Sequence, residues 1–428
     1  MNEQPKKNSL SSSFVNPGGT ATKSNAIDIP SISLPKGGGA IKGIDEKFSV
    51  NAVNGTSSFS IPLPIASSRG FSLQLSLSYN SGSGNSIFGL GWNINLSSIK
   101  RKTEKGLPQY FDNIDSDTYL FSETEDLVPE FEKQNGEFII EPDGTYRVWE
   151  KDSPDQLFKI RFYRPRIEGL FARIERWTEL SSGSIKWRVI TKDNTTTLFG
   201  WSSKARITDP ADPTRIYEWL PEFVFDDKGH CFHYIYKEDD LAGWNDTLHN
   251  KNRLVNGKLT YTNLYLEKVV YGNKTPYQGF GNPVPVDTDF MFETTFDYGI
   301  LTDDDSPETI NTWDFRTDAF SDYKAGFEIR TTRLCKRVLL FHRFDGVNEY
   351  NGLVRSLNFN YDITAQRDFT FLRSATSCGY IKNPDGTYSQ KNLPPTQFEY
   401  QQHEWSKEVK DISPENLVHA PVGLASPD

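Results

Sequence analysis

Four glycines, Gly82, Gly84, Gly89 and Gly91, fall within ten positions of the stretch YNSGSGNSIFGLGW (79–92), directly after a strand-like run. Glycines at this density cradle a phosphate when they join a strand to the N-terminus of a helix. Gly84 and Gly89 have the gap of the GxxxxGK[ST] loop, but Leu90 and Gly91 stand where lysine and serine or threonine are required. The next segment, WNINL (92–96), alternates as a strand does, so no helix end points at a ligand. A dinucleotide fingerprint fails for the same reason. A kinase-type loop does lie between strands, yet Gly82, Gly84 and Ile87 break GxGxxG, and the stretch from His342 to Gly346 satisfies neither HRD nor DFG. The stretch therefore reads as a glycine-rich turn.

Other residue types suggest other chemistry. Asp112, Asp115 and Asp117, and the run Asp303 to Asp305, could hold calcium, but the EF-hand spacing is absent, and solvated loop carboxylates are the plainer reading. Glu123-Thr124-Glu125 is an ExE pair of the kind used by arginine-directed ADP-ribosyltransferases. Those also need an upstream Ser-Thr-Ser strand, which this chain lacks. His230 and His233 are three apart, which places them on opposite faces of a strand and argues against a shared metal. Neither HExxH nor GxSxG occurs. Cys231, Cys335 and Cys378 are odd in number and far apart, so buried free thiols are expected rather than disulfides or a zinc site. A glycosidase pair of carboxylates needs no local motif, so that alternative stays open. No cofactor is expected.

These residues must be held by strands. In SSFSIPLPI, Phe59, Ile61, Leu63 and Ile65 share one face; in FSLQLSLSY, so do Phe71, Leu73, Leu75, Leu77 and Tyr79. Pro62 and Pro64 mark the first run as an edge strand or irregular extended chain. Further strands are predicted at 137–140, 145–150, 158–163, 171–177, 185–190, 196–201, 222–226, 231–237, 264–272, 292–299, 327–344 and 353–363. PDGTY occurs twice, at 142–146 and 384–388, as a tight reversal. Loops are predicted at 238–258 and 301–325. No long capped helix is legible. The predicted fold is mostly β, with several antiparallel sheets packed together and few short helices.

Composition sets outer limits. The chain has 428 residues, of which 13% are aromatic, and a formal net charge of −10. That balance argues against nucleic-acid binding, which needs clustered cations. The first fourteen residues lack the apolar core of a Sec signal, and no apolar run approaches the roughly 20 residues that span a bilayer. No direct membrane insertion is expected. The destination is either extracellular by a non-Sec route or cytoplasmic before release.

One set of motifs is more specific. SLPKGGGAIKGIDEKF (33–48) and SIPLPIASSRGFSLQLSLSYNSGSGNSIFGLGWNINLSSIKRKT (60–103) are followed in order by KARITDP (204–210), EWLPEFVFDDKGHCFHYIYKEDD (218–240) and YKAGFEIRTTRLCKRVLLFH (323–342). This series resembles the SpvB family, named from the Salmonella virulence-plasmid toxin and also found at the N-terminus of TcB components of insecticidal Tc toxin complexes. Residues 1–30, rich in Ser, Asn, Gly, Lys and Thr and poor in apolar groups, are expected to be a disordered tail. The resemblance implies a β domain over 31–420 and a tail over 421–428 leading to a downstream domain. It implies structural roles for Gly37, Gly38 and Gly39 and for Gly82, Gly84, Gly89, Gly91 and Trp92. It also implies a non-enzymatic part in a shell that encloses and delivers a toxic enzyme. The partners would be a TcC-like RHS protein and, through a downstream propeller that these residues do not contain, a TcA-like pore protein. Two alternatives remain: a surface or carbohydrate-binding β module using Trp244 and Trp313, or the non-catalytic delivery half of an ADP-ribosylating toxin.

Overall fold

The computed structural model describes residues 47–400 except 51–54, 69, 72, 74, 123–124, 170, 245, 303–304, 345–350 and 363–368, together with Glu408. The proposed tails and Gly37, Gly38 and Gly39 lie outside the described residues, as do Glu123 and Thr124 of the ExE pair. The fold is mostly β, with antiparallel strands and a few single-turn 3-10 helices.

Four strands, β1 (Lys47–Val50), β2 (Ser57–Pro62), β3 (Ser76–Asn80) and β4 (Trp92–Ile94), form a small antiparallel sheet in sequence order. β1 flanks β2 only as far as Ser60, so at Pro62 the sheet continues on the β3 side alone. The missing N–H of proline therefore costs no ladder bond there. The apolar faces read from the two runs both turn into the largest core, from Ile61 and Leu63 to Leu75 and Leu77.

A barrel follows. Its strands are β5 (Ile99–Arg101), β6 (Tyr119–Phe121), β7 (Glu125–Pro129), β8 (Phe158–Pro165), β9 (Arg173–Glu179), β10 (Ile185–Ile190), β11 (Thr196–Phe199), β12 (Ile216–Trp219) and β13 (Pro221–Phe225). Strands β5 to β11 pair in sequence order, with β7 on β8. β12 and β13 are successive lengths of one bent segment. β12 pairs with β5 through Trp219↔Ile99, and β13 pairs with β11. The ring is thereby closed. Every strand from β5 to β12 sends alternate residues inward, and Ile99, Tyr119, Leu127, Tyr163, Ile174, Trp187, Phe199 and Trp219 fill the interior as one cluster. Tyr119, Trp187 and Trp219 meet edge to face at 4.9–6.0 Å.

From β13 an open antiparallel sheet runs on through β14 (Cys231–Glu238), β15 (Leu264–Asn273), β16 (Phe290–Asp297), β17 (Arg337–His342), β18 (Gly352–Asp362), β19 (Phe371–Lys382) and β20 (Tyr388–Asn392). One face, carrying Phe232, Tyr271, Phe292, Val338, Leu340 and Phe359, packs on the small sheet. The other buries Val270 and Phe290 in one cluster and Leu339, Phe341 and Cys378 in another. Both faces are thus covered in part, which is why these strands read as near-continuous apolar runs.

Three sequence expectations are corrected. The run 327–344 is two strands, Ile329–Thr331 and β17, not one. Thr332 to Lys336 lie outside the ladder, and Arg333 among them turns inward to Asp239 and Asp240. The run 145–150 contributes isolated bridges at Tyr146 and Val148 before a short strand at Glu150–Asp152. Asp112 and Asp117 are not free solvated carboxylates, while Asp115 is exposed as read but carries ion pairs. They are counter-ions at the barrel mouth: Asp112 and Asp117 each lie 2.7 Å from the fully buried Arg101, and Asp115 pairs with Arg161 and Arg176. Burial works against the Asp112 carboxylate, but hydrogen bonding and charge from Arg101 hold it below the ordinary range. Both PDGTY turns form as expected. Gly144 and Gly386 have φ 87° and 88°, and Asp143 and Asp385 each accept from the threonine two residues on.

Candidate functional site

The glycine loop, residues 81–91, joins β3 to β4, which pair directly through Tyr79↔Trp92. Leu77 and Tyr79 face the core on one strand and Trp92 and Ile94 on the other. Two glycines have no alternative there. Gly91 has φ +81°, and an added Cβ would stand 2.5 Å from the Tyr79 ring and 3.1 Å from the carbonyl of Asn80. Gly89 has φ +90°, and its Cβ would stand 2.7 Å from the carbonyl oxygen of Thr370. Gly84 faces open space, while Gly82 lies against the Thr56 methyl at 3.0 Å.

The loop reaches distant chain. Leu90 N–H donates to the Thr370 carbonyl at 2.9 Å, and Cys335 N–H donates to the Ile87 carbonyl at 2.8 Å. Ser86 Oγ accepts from Phe88 N–H at 2.9 Å and donates to the Trp92 carbonyl. Phe88 is fully buried against Phe359. From Ser86 to Gly91 the loop is therefore a plug packed against β18 and the start of β19, while Ser81 to Gly84 stay exposed.

Arg316 clasps the plug. Its side chain is 1% exposed and pairs through two nitrogens with Asp318, each at 2.8 Å. It also donates to the Ser86 carbonyl at 2.6 Å. Asp318 in turn accepts from Thr370 N–H at 2.8 Å and from the Asn85 amide at 3.2 Å. Burial raises the Asp318 pKa, but Arg316 and these two donors outweigh it and bring the pKa down to about 2. The folded value is depressed, so the contribution of Asp318 is fully present above its unfolded pKa of about 4 and fades as pH falls towards 2. Urea unfolding between pH 5 and pH 2.5 should show a shallower stability loss for Asp318→Asn than for the wild type. Parallel slopes would remove Asp318 from the acid response.

Trp92, 1% exposed, is the other anchor. Phe59, Tyr79 and Phe398 surround its ring at 4.7–6.3 Å. Its indole N–H donates to Tyr400 at 2.7 Å, and Tyr400 passes the bond to the Leu372 carbonyl at 2.8 Å. Sequence reading missed Arg316, Asp318, Thr370 and Tyr400. The only available signal was the Arg-x-Asp spacing in the loop 301–325.

The two histidines singled out from the sequence make structural contacts. His230 meets Asp226 at 2.8 Å, and His233 is half-buried with its neutral form favoured by desolvation. Among the described residues no group of three or more His, Cys, Asp or Glu could hold a metal. All three cysteines are free and buried, as expected. Trp313 is core, its ring tilted against Tyr298 at 4.4 Å, and Trp244 is half-buried against Phe315. No helix among the described residues is long and apolar enough to cross a membrane.

A family model described as "SpvB: Salmonella virulence plasmid 65kDa B protein" matches residues 51–344. The mono(ADP-ribosyl)transferase SpvB of Salmonella choleraesuis strain SC-B67 is 35% identical over 338 residues, covering 77% of this chain and 54% of that protein. Its Salmonella typhimurium counterpart is 34% identical over 337 residues, covering 77% of this chain and 54% of that protein. The chain thus spans about half the length of the curated relatives it matches. Among solved structures, TcdB2-TccC3 matches with a TM-score of 0.71 at 33% identity, over 88% of this chain and 18% of that one. The N-terminal domain of the effector protein SpvB from Salmonella typhimurium strain LT2 matches with a TM-score of 0.61 at 32% identity, over 75% of this chain and 98% of that one. With its family model matched over residues 51–344 and its strands aligned to two such structures, the chain belongs to the SpvB family.

Proposed function

We propose that this chain is a non-catalytic shell module of a Tc-type toxin assembly, helping to enclose and deliver a toxic enzyme. The observation that carries this reading is the match of 88% of the chain, at 33% identity, to part of the TcdB2-TccC3 structure. The β domain over 31–420 is the working unit. Gly89, Gly91 and Trp92 help to hold one of its sheets on another, Gly82 and Gly84 serve the turn that joins β3 to β4, and Gly37, Gly38 and Gly39 have a structural part upstream. The partners are a TcC-like RHS protein, met directly, and a TcA-like pore protein, met through a downstream propeller. Delivery places the chain outside the producing cell.

The interior supports a role in packing rather than catalysis. Its buried charges are matched within the chain: Arg101 with Asp112 and Asp117, Arg316 with Asp318, Arg333 with Asp239, and Arg337 with Asp297. The carbohydrate-binding alternative loses Trp313, which is buried. The test is co-expression of the full-length protein with a TcC-like RHS protein from the same genome. A stable heterodimer on size exclusion is expected. Separate elution of the two chains would sink the shell reading.

A further inference from the structure

The open sheet carries an imidazole on each face. His233, on β14, pairs with Phe223 of β13 and Val270 of β15, and directly paired residues share a face. That face packs in the cluster of Leu198, Phe223, Val270 and Phe290, which ties the sheet to the barrel through β11. His342, at the end of β17, pairs with Phe292 of β16 on the face that packs against the small sheet. Both rings are half-buried among aromatic side chains. Phe223 stands 6.1 Å from His233, and Phe292 and Phe344 stand 5.2 and 5.0 Å from His342. In each ring Nδ1 is buried and has no hydrogen-bond partner among the described residues.

A neutral imidazole tolerates this setting, with one nitrogen a donor and the other a bare acceptor. Protonation turns the ring into a cation with a donor on each nitrogen. Nδ1–H then points at no acceptor, and a charge stands among phenylalanine rings. Burial is the largest influence on both groups and lowers each pKa from the ordinary imidazole value. The charge of Arg355 adds to it at His342. At His233 the carboxylates of Glu222 and Asp287 oppose it without reversing it, and Lys268 adds to it.

We propose that His233 and His342 form an acid-sensitive element, in which protonation of either ring loosens the open sheet from the layer that its face packs against. His233 acts at the junction with the barrel and His342 at the junction with the small sheet. A histidine whose folded pKa is depressed contributes stability that is fully present above its unfolded pKa of about 6.5 and is lost as pH falls below that value. This range lies above the one in which the contribution of Asp318 fades. The element does not depend on the shell reading.

Two measurements on the full chain test this. With carbon-13 at the histidine Cε1 positions, the His233 and His342 resonances, assigned through His233→Gln and His342→Gln, should titrate below the ordinary imidazole value of about 6.5. Urea unfolding of the wild type should show a lower midpoint at pH 5.5 than at pH 7.5, each ring lowering the folding constant by up to about tenfold per pH unit. His233→Phe combined with His342→Phe should lose most of that fall. Ring titration at or above the ordinary value overturns the proposal, and so does an equal fall in the wild type and a folded double variant. Should the double variant not fold, the ring titration of the wild type decides alone.

Discussion

Gly89→Ala should destabilise the protein by about 2–5 kcal/mol, while Gly84→Ala, five positions earlier in the same loop and facing open space, should stay within about 0.5 kcal/mol. A left-handed backbone costs an L-residue roughly 1–2 kcal/mol, and forcing extra volume into a packed site costs about 1–3 more. At Gly89 the obstructing atom is the Thr370 carbonyl oxygen, backbone that cannot rotate away. It is also the acceptor for Leu90 N–H, so moving it breaks the bond that seats the plug. Paired urea denaturation curves check this. Equal midpoints for the two variants would mean that the loop yields freely and clasps nothing.

Arg333→Met should cost about 3–5 kcal/mol, the usual loss when one partner of a buried ion pair is removed. Arg333 is 0% exposed and its Asp239 partner 2%. Its donors reach Asp239 Oδ1 at 2.9 Å, the carbonyls of Asp240 and Ala242 at 2.7 Å, and that of Trp313 at 3.0 Å. One guanidinium thus organises the loop after β14 and the loop carrying Trp313. Without it, Asp239 is left as a buried charge with no cation, held only by Thr332, the Asp240 N–H at 3.0 Å and the Tyr265 hydroxyl at 3.5 Å. Adding Asp239→Asn to Arg333→Met should recover part of the loss, because the stranded charge is gone. A double variant no more stable than Arg333→Met alone would show that the carbonyl contacts, not the charge, set the cost.

Strand faces were legible because period two survives in single runs. Phe59, Ile61 and Leu63, and Leu73, Leu75 and Leu77, turned inward as read. The failed phosphate-loop test was sound for the reason given, since the second arm of the glycine loop is indeed β4. What escaped was whatever depends on long separation. Asp112 and Asp117 look like surface residues in a polar window, and only the fold brings the Arg101 guanidinium between them. β19, at 12 residues the longest strand, mixes Ser, Thr and Gly with its apolar positions and gave no periodic signal. Arg316 lies 230 residues from Ser86, and nothing local announces that pairing.

The closed barrel also constrains the order in which the chain organises. Strands β5 to β11 join neighbours close in sequence, so hairpin-sized steps suffice for them. The seam is different: Ile99 waits for Trp219, and β11 waits for β13. Until residues 216–225 have emerged from the ribosome, β5 and β11 are two bare edges with free amides and carbonyls, open to pairing with other chains. Synthesis of that one bent segment retires both edges together, so the interval of exposure ends at a single point in translation.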